Sequence, residues 1–171
     1  TGPGILMGLK PIFASAVLGW EKDTFSTLTG QSQLFAGLPA ALLIGFAAAR
    51  WGARRTFIVC ALLNVAVALA MLGLQPHWAN PALFIALIFV TEMLRSMRMV
   101  AGGALSMRLC NPAIAATQFA VFMAIFNLGG VLGGLSLGWL DSLGGIPAML
   151  IAMTLCSALA ALLAFHARVG R

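Results

Sequence analysis

Three ionisable side chains, Glu92, Arg95 and Arg98, fall within the stretch EMLRSMR of a chain that otherwise almost avoids charge. At 100° per residue, a helix places the three within a sector of about 120°. Arg presents a planar fork of donors that matches a carboxylate or a phosphate. One Glu cannot neutralise two Arg, so an excess positive charge is left over. A charged side chain in the middle of an apolar segment costs about 2.5–3.5 kcal/mol, and it normally faces a partner or a water-filled cavity. The pattern therefore points to a cavity that receives an anion. The competing reading is an ion-pair lock, with Glu92 and Arg95 at i,i+3 stapling neighbouring helices. Lys10 lies in a further apolar stretch and extends the same chemistry, and Pro11 beside it removes a backbone donor. Neutral polar groups inside apolar runs, Asn64, Thr117, Gln118 and Asn127, supply candidate cavity contacts or interhelical hydrogen bonds. For Asn64 the packing role is the better reading.

The elements that must hold these groups follow from composition. The chain has 171 residues, 61% of them hydrophobic and only 8% charged, with a mean hydropathy of +1.03. A soluble domain carries about a quarter charged residues, so the class is a polytopic membrane protein. The net charge of +6 comes from dispersed basic residues without a basic arm, which speaks against nucleic acid as a partner. Cys60, Cys110 and Cys156 lie in or at the ends of apolar runs, without metal-ligand spacing or a disulfide framework. The chain begins with Thr1 and shows no signal-peptide pattern, so the expectation is a fragment or a processed product.

A spanning helix needs about 20 apolar residues. Six spans are expected, at about 3–20, 28–50, 56–74, 82–109, 113–140 and 146–166. The difficult stretch is 82–109. Read as two helices broken by a charged loop, it yields pieces of roughly 15 Å, half of what a bilayer core of about 30 Å requires. Read as one helix of about 42 Å, it leaves nothing unexplained, with the charges near its middle. Ser96, Met99, Gly102, Gly103 and Ser106 then extend the polar side, while Val90, Leu94, Met97, Ala101 and Leu105 form an apolar back.

Alternate connections place Arg50, Arg54, Arg55, Arg108, Arg168 and Arg171 on one side of the membrane. The other side receives Lys22, flanked by Glu21 and Asp23, and Asp141. This asymmetry predicts cytoplasmic termini and a multi-pass protein of the cytoplasmic (inner) membrane. Small residues recur at four-residue spacing, as Gly37, Ala41, Gly45 and Ala49, and as Gly130, Gly134 and Gly138, which lets helix backbones approach closely. No catalytic arrangement, metal cluster or phosphate-binding loop emerges, and no cofactor or enzymatic activity is expected.

The segment GFAAARWGARR (45–55) resembles the G-x-x-x-D-R-x-G-R-R/K signature of the major facilitator superfamily. Gly45, Arg50, Gly52, Arg54 and Arg55 match, and Ala49 stands where the acidic residue belongs. The segment SMRLCNPAIAATQFAVFMAIFNLGGVLGG (106–134) is similar to the corresponding part of AmpG-like muropeptide permeases and acetyl-coenzyme A transporters. The resemblance implies an all-α membrane fold of six helices, one half (a 3+3 inverted repeat) of a twelve-helix transporter, here the C-terminal half. It implies a secondary active transporter working by alternating access, whose first and fourth helices line the cavity. Lys10, Arg95 and Arg98 would hold an anionic solute such as a muropeptide or an acyl-coenzyme A. Proton coupling is expected too. A neighbouring Arg favours the ionised carboxylate, so Glu92 is read as orienting Arg95 rather than as the coupling group. Gly45, Arg50, Gly52, Arg54 and Arg55 would form the cytoplasmic gating motif. The expected partners are the solute, the bilayer and a further six-helix half or second chain. A non-transporting six-helix scaffold is the alternative.

Overall fold

The computed structural model describes residues 2–166, so Arg168 and Arg171 lie outside the described residues. Among these residues the chain is helical without strands. Six helices follow one another: α1 (Gly2–Ala16), α2 (Lys22–Trp51), α3 (Ala53–Gly73), α4 (Pro81–Leu109), α5 (Ala115–Leu135) and α6 (Leu137–His166). α2 carries a π-helical turn at Gln33–Gly37. Four stretches, Lys22–Trp51, Ala53–Gly73, Pro112–Leu135 and Leu137–His166, are long and apolar enough to cross a membrane. α1 is apolar but shorter, and α4, although 29 residues long, carries the three ionised groups.

Local chemistry explains the boundaries. α4 starts where the Asn80 side chain accepts from the Ala82 N–H at 3.0 Å, with Pro81 in the first turn, where its missing donor costs nothing. From there it runs unbroken to Leu109, so EMLRSMR sits inside a helix and not in a loop. α1 ends at Ala16, short of the expected 20. Gly19 takes a left-handed φ of 63°, and the Trp20 N–H turns back to the Ala14 carbonyl. α2 and α3 are separated by Gly52 alone, whose φ of 91° reverses the chain in one residue.

The fifth expected span, 113–140, has no sharp helix end at 140. Helix assignment breaks at Ser136, yet this residue keeps right-handed helical angles, and the Leu140 N–H still bonds its carbonyl. The chain leaves the helical path at Gly144 and Gly145, the latter at a φ of 61°. Pro147 follows at the start of the last straight segment.

Five helix pairings organise the bundle. α3 packs along α6 and α4, α2 along α4, and α1 against α5 and α6. α4 and α5 touch only sparsely. The main core joins α1, α3, α4 and α6 through Ile5, Leu9, Phe13, Met71, Phe84, Ile88 and Met149. α1 meets α5 almost backbone to backbone, because a Cβ on Gly4 would come within 1.9 Å of the Gly130 carbonyl oxygen. Only glycine at position 4 permits that approach.

Candidate functional site

Lys10 and Glu92, 82 residues apart in sequence, meet between α1 and α4. The Lys10 ammonium donates to Glu92 Oε1 at 2.6 Å, with both residues 3% exposed. Arg95, one turn further along α4, donates from Nε to Glu92 Oε2 at 2.8 Å. Each carboxylate oxygen thus holds one cation. α1 and α4 have little backbone contact, so side chains do the bridging, these together with the Phe13–Phe84 pair. Arg95 commits only its Nε, and its side chain stays 28% exposed.

Arg98, a further turn along, differs from both. It is 8% exposed and makes no ion pair or hydrogen bond with any described residue. Its free face and that of Arg95 line a cavity of about 590 Å³ between α1, α4 and α5, together with Gly8, Met99 and Asn127. That volume lies within the range of small-molecule sites. On the other side of Lys10, towards Phe13 and Phe84, only about 10 Å³ is left, room for one water at most. The charged group is therefore accessible from one side.

Of the residues expected to contribute, the structure brings together Lys10, Glu92, Arg95, Arg98 and Asn127. Gln118 is elsewhere: its Oε1 accepts from the Asn111 N–H at 2.6 Å and braces the turn between α4 and α5. Asn64 donates to the Cys60 carbonyl one turn back, a packing role. Ser96 leaves the polar side of α4 and faces α2, where a Cβ on Gly37 would come within 2.8 Å of its Oγ. Sequence reasoning missed Gly4 and Gly8 on α1, which make the wall close, and Ser157 on α6. A lone hydroxyl or glycine in an apolar run carries no signal of what it will meet.

The 45–55 segment lies at one end of the bundle. Gly45 looks toward Val100 of α4, and Gly52 approaches the Arg108 guanidinium. Arg50 and Arg55 are exposed. Arg54 reaches across to the last turn of α6, donating from Nε to the Ala164 carbonyl at 2.7 Å and from Nη2 to the Phe165 carbonyl. A cation on the orphan carbonyls of a helix C-terminus is favourable both as hydrogen bonds and against the helix dipole.

A family model described as Major Facilitator Superfamily matches residues 2–171. The chain belongs to that superfamily. Its six helices fit half of a major facilitator fold, and members are transporters. No curated protein and no solved structure matches the chain.

Proposed function

We propose that this chain is one half of a secondary transporter that accepts an organic anion at Arg98 and Arg95 and moves it by alternating access. The observation that carries the reading is Arg98: more than nine-tenths buried, without a counter-charge among the described residues, and facing a cavity of about 590 Å³. An ion-pair lock between helices accounts for Lys10, Glu92 and Arg95, but it leaves Arg98 over. Glu92 is occupied on both oxygens, which favours its role as the group that orients Arg95.

The similarity of residues 106–134 to AmpG-like permeases and acetyl-coenzyme A transporters extends the reading to muropeptide-like or acyl-coenzyme A solutes, driven by the proton gradient. Alternating access needs a second six-helix bundle facing this one across the solute. The basic residues at the Gly52 and Arg108 end support a cytoplasmic placement of that end, in the inner membrane. Exposed Arg50 and Arg55, with Arg54 on α6, support a gating role there for 45–55.

The test uses the complete transporter. Arg95→Gln and Arg98→Gln are made singly, and uptake of the anionic solute is measured against folded yield. Loss of uptake at normal yield is expected, largest for Arg98, together with loss of wild-type uptake on adding a protonophore. Normal uptake in both variants would sink the reading.

A further inference from the structure

The buried hydroxyls of this bundle follow a rule with one exception. Ser32 and Thr91 each donate to a carbonyl of their own helix, at 2.8 and 2.7 Å, and Thr56 donates to the carbonyl of Gly52, the N-cap of its helix, at 3.0 Å. A helical Ser or Thr commonly satisfies itself this way. Ser157 on α6 is 5% exposed, and its Oγ has no partner among the described residues. A buried hydroxyl left unpaired costs free energy, and such a group calls for a partner that completes it.

Ser157 lines a cavity of about 320 Å³ that also reaches Arg98, between α3, α4, α5 and α6 and the start of α1 at Gly2. Arg98 is thus common to this chamber and to the larger one of about 590 Å³. Two side chains from different helices, each more than nine-tenths buried and each without a partner, open into one space. The rest of its lining is apolar or small, as with Phe57, Ala61 and Leu163. Ligand subsites are commonly apolar chambers with a small number of polar groups in the lining, and this chamber has two.

We infer that Arg98 and Ser157 form a subsite for a single carboxylate group of the solute, whose remaining body extends into the larger chamber. The inference rests on the anion reading above and narrows it. Arg98 supplies two parallel N–H donors, the geometry of a bidentate carboxylate pair, and Ser157 supplies one O–H. Arg98 alone in this chamber balances one negative charge, whereas a phosphate carries more and leaves part of its charge uncompensated in apolar surroundings. A carboxylate-bearing solute is therefore favoured over a polyphosphate such as coenzyme A. Lys10, held by Glu92, positions the helices around the subsite, while Arg95, which commits only its Nε to Glu92, faces the body of the solute in the larger chamber.

The test measures equilibrium binding to the complete transporter in detergent by fluorine NMR, with 4-fluorobenzoate as the probe and 4-fluorobenzamide as its neutral isostere. Saturable broadening is expected for the benzoate and not for the benzamide. Ser157→Ala weakens benzoate binding about tenfold, Ser157→Thr retains it, and Arg98→Gln abolishes it. Acetate competes better than inorganic phosphate. Unchanged binding in Ser157→Ala would overturn the subsite, as would no binding of benzoate by the wild type. Stronger competition by phosphate would overturn the carboxylate assignment. The two readings separate cleanly. If Arg98→Gln loses uptake while Ser157→Ala binds benzoate normally, the subsite fails and the anion transporter stands. If Arg98→Gln transports normally, both fail.

Discussion

α1 and α4 face each other along two stretches that could hardly differ more. Near one end, Phe13 stacks on Phe84 with ring centroids 4.8 Å apart, and Trp78 and Trp20 meet those two rings edge-on. The Trp78 indole also donates to the Met71 carbonyl, so even its polar tip is satisfied. Among the described residues that region leaves only about 10 Å³, too little for a solute. One turn along α1, Lys10 and Glu92 replace rings with charges, and beyond them the two helices part around Arg98 and the larger cavity. The first stretch holds the helices by shape and dispersion; the second holds them by Coulomb attraction and leaves a charge unspent. Rings close the bundle at one end, and that closure makes the cavity beside Arg98 one-sided.

If this division is right, substitutions in the two stretches behave differently. The largest effect is expected from Glu92→Gln, which leaves Lys10 and Arg95 without a counter-charge and lowers stability by about 3–5 kcal/mol. Adding Lys10→Met in that background recovers part of the loss. A thermal or denaturant unfolding series in detergent reads both, and additive losses would show that the pair is not coupled. Phe13→Ala comes next. Removing a stacked, fully buried ring costs about 3 kcal/mol through the cavity left behind, while the folded fraction still binds the anion. Weakened binding per folded molecule would mean that the seal and the site are not separate.

Gly4→Ala tests the wall between α1 and α5. Its Cβ would press on the Gly130 carbonyl, and a loss of about 1–3 kcal/mol is expected, with altered anion affinity as the cavity wall shifts. Wild-type melting would show that the backbone approach is not needed. The smallest effect is expected at the far end of the bundle. Arg54→Gln releases the last turn of α6 and costs about 1 kcal/mol, visible as faster amide exchange near His166 and little change at the site.

Much of this architecture is legible in the residues themselves. Apolar runs near span length mark the helices, and length arithmetic alone places EMLRSMR inside one of them, because half-spans cannot cross a bilayer. Periodicity puts Glu92, Arg95 and Arg98 on one side of α4. The resemblance of 45–55 to the superfamily signature leads to the family that the match over 2–171 shows. Helix ends are less legible. Gly19 stops α1 early, and the chain turns at Gly144–Gly145 because glycine there adopts a backbone that periodicity does not encode.

What the sequence determined by itself is therefore the class of the protein and the faces of its helices, since both depend on local spacing and on the cost of charge in hydrocarbon. What only the tertiary structure decided is which group each side chain meets. Lys10 finds Glu92 across 82 residues, Gln118 turns to the Asn111 backbone instead of the cavity, and Arg54 caps α6. Arg98 and Ser157 are the two buried polar groups left without partners among the described residues. The physical reason is that helices in a bilayer associate by close steric fit among small residues, with little hydrophobic bias to announce the pairing in advance. A shift of α1 by one turn would set an apolar residue such as Leu6 or Phe13 against Glu92 in place of Lys10 and leave the carboxylate with Arg95 alone.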